Sequence, residues 1–144
     1  LSMPHSPRMH QDKLWLANSG TGEIGWIEQS EKKEAPGKFQ PLAFCPGFVR
    51  GLAFHKNLAI VGLSKPRYER FEGHDIDRRL KEADSEPCSR IQIIDIETGI
   101  CKHWFRIDGD VAELYDTAVI PNVGCAKSLP SFDGAALGLI TIED

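Results

Sequence analysis

The chain has 144 residues and a formal net charge of −4 at pH 7, with 41% hydrophobic and 26% charged residues. A chain of this length can bury a core, and its acidic balance disfavours a nucleic-acid surface, which is usually basic. No apolar run is long enough to span a bilayer, and the first residues lack the apolar segment of a secretory signal. We therefore expect a cytoplasmic protein with no nucleic-acid or membrane partner.

Short strands separated by turn signals are predicted along most of the chain. Residues 1–11 are rich in proline, serine and histidine, and we expect an irregular lead-in there. The predicted strands lie at 13–18, 23–28, 39–44, 51–54, 58–63, 90–96, 100–107 and 114–120, and a last β-prone run lies at 137–142. Glycine, proline and asparagine between these runs favour turns, so the pattern indicates an all-β fold.

The charged stretch at 66–89 interrupts this pattern and is interpreted as an insertion. Ile76, Leu80 and Ala83 would share one face of a short helix, and Asp75 could cap its start. We expect a loop insertion that holds this one helix. A solvated loop is the alternative that the sequence leaves open.

Three segments of the chain can be aligned on one another by hand. Leu14 of KLWLAN matches Leu58 of NLAIVG at an offset of 44 residues (58 − 14). The run GLAF at 51–54 matches DTAV at 116–119, an offset of 65 residues (116 − 51). The two offsets differ by 21 residues (65 − 44), which is close to the length of the insertion. The later strands agree, since 24–28 matches 91–95 and 37–47 matches 99–109.

A four-stranded unit that recurs about every 45 residues is typical of a β-propeller blade. A propeller needs roughly four to eight blades, and this chain holds only about two and a half. We predict β-propeller-like repeats of four-stranded blades in a single segment, 1–144. Because the ring cannot close, and because residue 1 is not methionine, we expect a part of a longer propeller, or several copies that assemble. A β-sandwich or an open meander is the alternative.

Several motifs together resemble a known family. They are SMPHSPR at 2–8, LWLANSGTGE at 14–23, FCPGFVRGLAFH at 44–55, VGLSKPR at 61–67 and ELYD at 113–116. The set resembles an uncharacterised bacterial family that is common in cyanobacteria, carries only a domain of unknown function, and sometimes lies beside tetratricopeptide repeats. The resemblance covers about 2–123 and implies a longer, propeller-like protein without an established activity.

A polar ligand site is predicted where the loops that enter the innermost strands would meet, at the mouth of a channel. Arginine side chains there could bind a carboxylate or phosphate of a ligand, and the carboxylate side chains of the protein could bind a cation. The alternative is that these charges pair with one another and tie the repeats together. The candidate ligand-binding residues are His5, Arg8, Asn18, Arg50, Glu113, Tyr115 and Asp116.

Two functions follow from this reading. The first is a binding scaffold that recognises a small polar molecule or a partner protein, without a cofactor. The alternative is a metal-dependent hydrolase or lactonase of the propeller type, with Glu113, Asp116, Asn18 and His5 around one divalent cation; its basis is likeness of fold alone. Homo-oligomerisation stays open under both.

The four cysteines, at 45, 88, 101 and 125, fit no C-x-x-C spacing of a zinc or redox site. We expect reduced and mostly buried thiols. A disulfide between Cys88 and Cys101 across a hairpin is the alternative, because scattered thiols do not reveal the redox compartment.

Overall fold

The computed structural model describes residues 1–30, 35–66 and 73–124 of the chain. They form two four-stranded antiparallel sheets and one short helix. The first sheet holds β1 (Pro4–His10), β2 (Lys13–Asn18), β3 (Glu23–Glu28) and β4 (Lys38–Phe44), with a 3-10 turn at Ser19–Thr21. The second sheet holds β5 (Phe48–His55), β6 (Leu58–Ser64), β7 (Arg90–Asp95) and β8 (Cys101–Arg106), with helix α1 (Asp75–Glu82) between β6 and β7. In both sheets the strands lie in chain order.

The two sheets repeat each other in register. Tight turns close β1–β2 at the pair His10 and Lys13 and β5–β6 at His55 and Leu58, an offset of 45 residues (55 − 10). The first strand of each hairpin also carries a bulge. Leu14 is therefore equivalent to Ala59, one residue beyond the Leu58 of the hand alignment. Residues 24–28 of the first sheet and 91–95 of the second are equivalent positions of the repeat, as the sequence alignment predicted.

The core lies between the two sheets. Trp15 and Ala17 of β2 are buried against Leu52 of β5 and against Val61 and Leu63 of β6. Fully burying a Val or Leu side chain contributes about 1.5–3 kcal/mol, so these contacts stabilise the packing of the two sheets. It also places β1 beside β5, which brings together residues far apart in sequence.

Two local predictions were wrong. The segment predicted as an irregular lead-in contains β1, because Pro4 and Pro7 lack only an N–H that an edge strand can spare. The predicted strand at 114–120 is not a strand, since within the described residues no second strand pairs with it. The run at 137–142 lies outside the described residues. Those residues show two sheets and no closed ring, so the propeller-like arrangement stays a prediction.

Helix α1 is docked where the two sheets meet, at the end of β4 and the start of β5, which contradicts the alternative of a solvated loop. Ile76 and Leu80 are buried against Phe44 and Phe48, as the apolar face of the helix predicted. The residue before the helix is His74, and no side chain caps the N-terminus, so the predicted cap by Asp75 was wrong. Within the described ranges, no helix combines the length and apolar character that a membrane crossing requires.

Candidate functional site

Three runs of chain meet where the candidate residues lie: β1, β5 and residues 112–117. The backbone N–H of Gly51 donates to the Ser6 hydroxyl over 3.0 Å, which joins β5 to β1. On its other side, Gly51 lies against the backbone of the third run. A Cβ added to Gly51 would stand 2.7 Å from the Thr117 nitrogen, and its φ of +87° also favours glycine. Gly51 thus permits the close approach of the third run.

Arg8 and Asp116 form an ion pair that spans most of the chain. Nη2 of Arg8 donates to the carboxylate oxygens of Asp116 over 2.8 and 3.0 Å. The two side chains are 39% and 58% exposed. A pair this open to water typically contributes about 0–1 kcal/mol, and its guanidinium remains accessible to solutes.

Arg50 is more enclosed than Arg8 and is bound less tightly by its carboxylate. Its Nη1 lies 3.4 Å from Oε2 of Glu113, and the two side chains are only 21% and 16% exposed. The guanidinium also stacks over the Tyr115 ring at 4.8 Å from its centroid. Because a good charge-assisted bond measures about 2.7–2.9 Å, the ion pair leaves Arg50 with capacity for a closer acceptor.

His5 is held by structural contacts instead of joining the arginines. Its Nδ1 lies 2.9 Å from the Met3 carbonyl oxygen and 3.1 Å from the Ser19 hydroxyl. Since a carbonyl oxygen only accepts, Nδ1 must carry the proton. The ring meets Phe48 edge-on at 5.4 Å.

Asn18 is likewise engaged locally. Its Oδ1 accepts from the Ser2 backbone N–H over 2.6 Å, and its Nδ2 donates to the Thr21 hydroxyl over 2.8 Å. The buried Asn18 amide therefore braces the chain start against the 3-10 turn. Five of the seven candidates are in contact with one another, since Arg8 meets Asp116 and Arg50 meets Glu113 and Tyr115. The other two, His5 and Asn18, are in supporting contacts.

Two serines, Ser19 and Ser64, join the runs. Ser19 donates to the Val49 carbonyl oxygen over 2.5 Å. Ser64 lies 3.4 Å from the Leu114 carbonyl oxygen and accepts from the Leu114 N–H over 2.9 Å. The sequence repeat could have predicted that the two serines have the same role, because Ser19 and Ser64 are 45 residues apart (64 − 19), which is the offset of the two hairpins.

The family described as Domain of unknown function (DUF4915) matches residues 1–129. The chain belongs to this family. The match covers both sheets and the run at 112–117. No curated protein and no solved structure matches the chain. The bacterial origin and the neighbouring tetratricopeptide repeats stay predictions.

No metal centre can be assembled from the described part of this DUF4915 chain. Within it, no three His, Cys, Asp or Glu side chains lie close enough to hold an ion. Glu113 and Asp116, the carboxylates of the predicted cation site, each contact an arginine. The arrangement is suited to binding an anion at the guanidinium groups.

Among the described cysteines of this DUF4915 chain, Cys45, Cys88 and Cys101 are free thiols. The alternative of a Cys88–Cys101 disulfide is therefore wrong. Burial, with the nearby Cys101 and Glu23 as lesser causes, raises the pKa of Cys45 to about 12. A thiol with so high a pKa is a poor nucleophile at neutral pH.

Proposed function

We propose that this DUF4915 chain is a non-catalytic, propeller-like repeat scaffold that binds a small carboxylate- or phosphate-bearing molecule at Arg50 and Arg8. The observation that carries the proposal is the state of Arg50. Its guanidinium is mostly shielded from water and lies over the Tyr115 ring, yet its carboxylate partner stays 3.4 Å away. An anion that approached to normal hydrogen-bond distance would bind Arg50 better than Glu113 does.

The two carboxylates act as internal competitors of the ligand in this proposal. Asp116 neutralises Arg8 and Glu113 neutralises Arg50 while the site is empty. An incoming anion then displaces Glu113 from Arg50, while Tyr115 keeps the guanidinium in place by a cation–π contact. We infer that removing the charge of Glu113 strengthens binding.

The propeller-like part of the proposal rests on the repeat. Two four-stranded meanders follow each other at an offset of 45 residues, and their hairpins share a bulge. A four-stranded repeat of this period is the usual propeller blade. A single domain within a longer propeller, assembly from copies and a cytoplasmic location stay predictions.

Titration calorimetry at constant ionic strength tests the binding proposal, with citrate and inorganic phosphate as the probes. Arg50→Ala is expected to weaken binding about tenfold or more, because a charge-assisted bond to a shielded guanidinium is lost. Glu113→Gln is expected to strengthen it. Arg106→Ala is the matched control, since Arg106, at the end of β8, forms its own ion pair with Asp108.

Equal binding by Arg50→Ala and the unchanged chain would overturn the proposed site. If neither probe binds the unchanged chain, the proposal of a small anionic ligand fails, and a partner protein becomes the better reading. No specific observation favours the hydrolase alternative. The divalent cation of the hydrolase stays a prediction. The prediction that the binding scaffold needs no cofactor likewise stays a prediction.

A further inference from the structure

Two buried serines fasten the third run to the second sheet, one on each side of Glu113. The Ser89 hydroxyl donates to the carbonyl oxygen of Ala112 over 3.0 Å. The backbone N–H of Leu114 donates to the hydroxyl oxygen of Ser64 over 2.9 Å. Ser64 and Ser89 are 1% and 0% exposed, so water does not compete for these bonds. The backbone on both sides of Glu113 is therefore held at the ends of β6 and β7.

Ser89 differs from Ser64 because the first repeat has glycine at the equivalent place. Gly22 directly precedes β3 as Ser89 directly precedes β7, at an offset of 67 residues (89 − 22). The N–H of Cys45 donates to the Gly22 carbonyl oxygen over 2.7 Å. The N–H of Ile107 donates to the Ser89 carbonyl oxygen over 2.9 Å in the same way. The backbone contact is thus common to both repeats, whereas the hydroxyl contact is added in the second.

The added hydroxyl lies at the interface that carries the pair of Arg50 and Glu113. Glu113 is equivalent to Phe48 at an offset of 65 residues (113 − 48). Phe48 meets the His5 ring edge-on at 5.4 Å, which is a contact between two rings. Glu113 instead places a carboxylate opposite a guanidinium. The second interface therefore differs from the first both in its charges and in the extra bond next to them.

Electrostatic attraction favours a closer approach of Glu113 to Arg50 than the structure shows. Both side chains are mostly shielded from water, so their opposite charges attract more strongly than they would in bulk solvent. Their nearest atoms nevertheless lie 3.4 Å apart, whereas a good charge-assisted bond measures about 2.7–2.9 Å. The bonds to Ala112 and Leu114 oppose the backbone movement that closure would use.

We propose that Ser89, together with Ser64, is a positioning residue that holds Glu113 back from Arg50 and so keeps the guanidinium ready for an anionic ligand. This inference rests on the proposed function, because it explains how the site that binds the anion is prepared. The ligand replaces Glu113 at Arg50 without first breaking an ion pair of full strength. Neither serine touches the ligand, since both act through the backbone of the third run.

Titration calorimetry with citrate measures the effect of Ser89→Ala on binding. The variant is expected to bind citrate about threefold or more weakly, because the released Glu113 closes on Arg50 and competes more strongly. The chain is expected to fold, since the carbonyl oxygen of Ala112 keeps its bond from the Lys65 N–H at 2.9 Å. In a Glu113→Gln background the same change is expected to leave the affinity for citrate unaltered, because the competing charge is gone.

Thr98→Ala is the matched control for the loss of a hydroxyl. Thr98 is exposed in the turn between β7 and β8, where its hydroxyl oxygen accepts from the Ile100 N–H over 3.3 Å. This variant is expected to bind citrate as the unchanged chain does.

A second measurement needs no ligand. Urea denaturation of the single and double variants Arg50→Ala and Glu113→Gln gives the coupling free energy between the two side chains. The coupling is expected to be about twofold larger when the cycle is repeated in a Ser89→Ala chain, because the two charges then lie closer together. The cycle in a Ser64→Ala chain tests the other bond in the same way.

Three results would overturn the positioning role. The first is a citrate affinity of Ser89→Ala equal to that of the unchanged chain. The second is an equal loss of affinity with and without Glu113→Gln, which would mean that Ser89 only supports the fold. The third is a coupling free energy that neither serine variant changes. If citrate binds to no variant, the proposed function fails, whereas a larger coupling in the serine variants still supports the positioning role.

Discussion

The hydroxyl of Ser19 lies 2.5 Å from the carbonyl oxygen of Val49, and this hydrogen bond crosses from the first sheet to the second. Both residues are fully buried. The bond joins the end of β2 to β5, at the side of the molecule where Arg8 and Arg50 meet the third run. It therefore links the packing of the sheets to the geometry of the candidate site.

Ser19→Ala is expected to lower the free energy of unfolding by about 1–3 kcal/mol, because the Val49 carbonyl would stay buried without its donor. Urea denaturation followed by tryptophan fluorescence measures this loss. Ser64→Ala is the comparison. Its hydroxyl secures Leu114, outside the two sheets, so the loss should be smaller and should mainly speed amide exchange near 112–117. An equal loss in both variants would show that the third run is part of the core.

Gly51→Ala is expected to displace the third run from β5. The new methyl group would stand 2.7 Å from the Thr117 nitrogen, and the residue would also need a positive φ. Gly109→Ala is the matched control, since Gly109 has a φ of +97° with nothing near its Cβ position. We expect Gly51→Ala to cost about 1–3 kcal/mol more than the control in the same denaturation measurement. Equal losses of the free energy of unfolding in the two variants would mean that the third run moves away from the new methyl group at no energetic cost.

Ile76→Ala is expected to lower the free energy of unfolding by about 2–4 kcal/mol, because it opens a cavity between α1 and the side chains of Phe44 and Phe48. Lys81→Ala on the same helix is the control and should stay within about 0.5 kcal/mol, since Lys81 is exposed. Thermal unfolding followed by circular dichroism gives both values. An Ile76→Ala chain as stable as the control would show that α1 is not docked in solution.

Asp95 is expected to make stability depend on pH in the acid range. Backbone N–H groups of Glu97 and Thr98 donate to its Oδ1, over 2.9 and 3.2 Å, and hold the pKa of Asp95 below its ordinary value. The pKa of Asp95 is lower in the folded chain than in the unfolded chain. The carboxylate therefore stabilises the fold above the pKa of the unfolded chain, and this stabilisation is lost as pH falls through the pKa of the folded chain.

Asp95→Asn should therefore be less stable than the unchanged chain at pH 7. The difference should begin to shrink as pH falls below about 4, near the unfolded pKa of an aspartate, and should vanish only below the lower pKa of the folded chain. Urea denaturation at a series of pH values measures it, with Asp110→Asn at an exposed position as the control. If the difference in the free energy of unfolding persisted unchanged in acid, the backbone N–H groups would not be stabilising the charge of the Asp95 carboxylate.

Much of the local structure could be predicted from the sequence. The strands around Trp15 and Trp26 and the helix around Leu80 were confirmed, because alternation and helical spacing are local signals that burial later satisfies. The repeat was found one residue out of register at Leu14, since similar apolar residues align equally well at neighbouring offsets.

Other features needed tertiary contacts. The strand at Pro4–His10 was missed because its composition is unfavourable, and only its edge position makes two prolines tolerable. The prediction of a strand at 114–120 was wrong: among residues 1–30, 35–66 and 73–124, this stretch has no hydrogen-bonded neighbour, and strand propensity alone cannot supply one.

The sequence by itself determined a mostly β chain, the period of its repeat and the residue types available to a polar site. Only the tertiary structure decided which charges meet, because it brings Arg8 to Asp116 and Arg50 to Glu113 across sequence distances of 108 and 63 residues. Ion pairs depend on distance in space, and here the packing of the sheets and the contacts of the third run with Gly51 and Ser64 set that distance. The fold also engages His5 and Asn18 in local hydrogen bonds and holds the guanidinium of Arg50 3.4 Å from the Glu113 carboxylate.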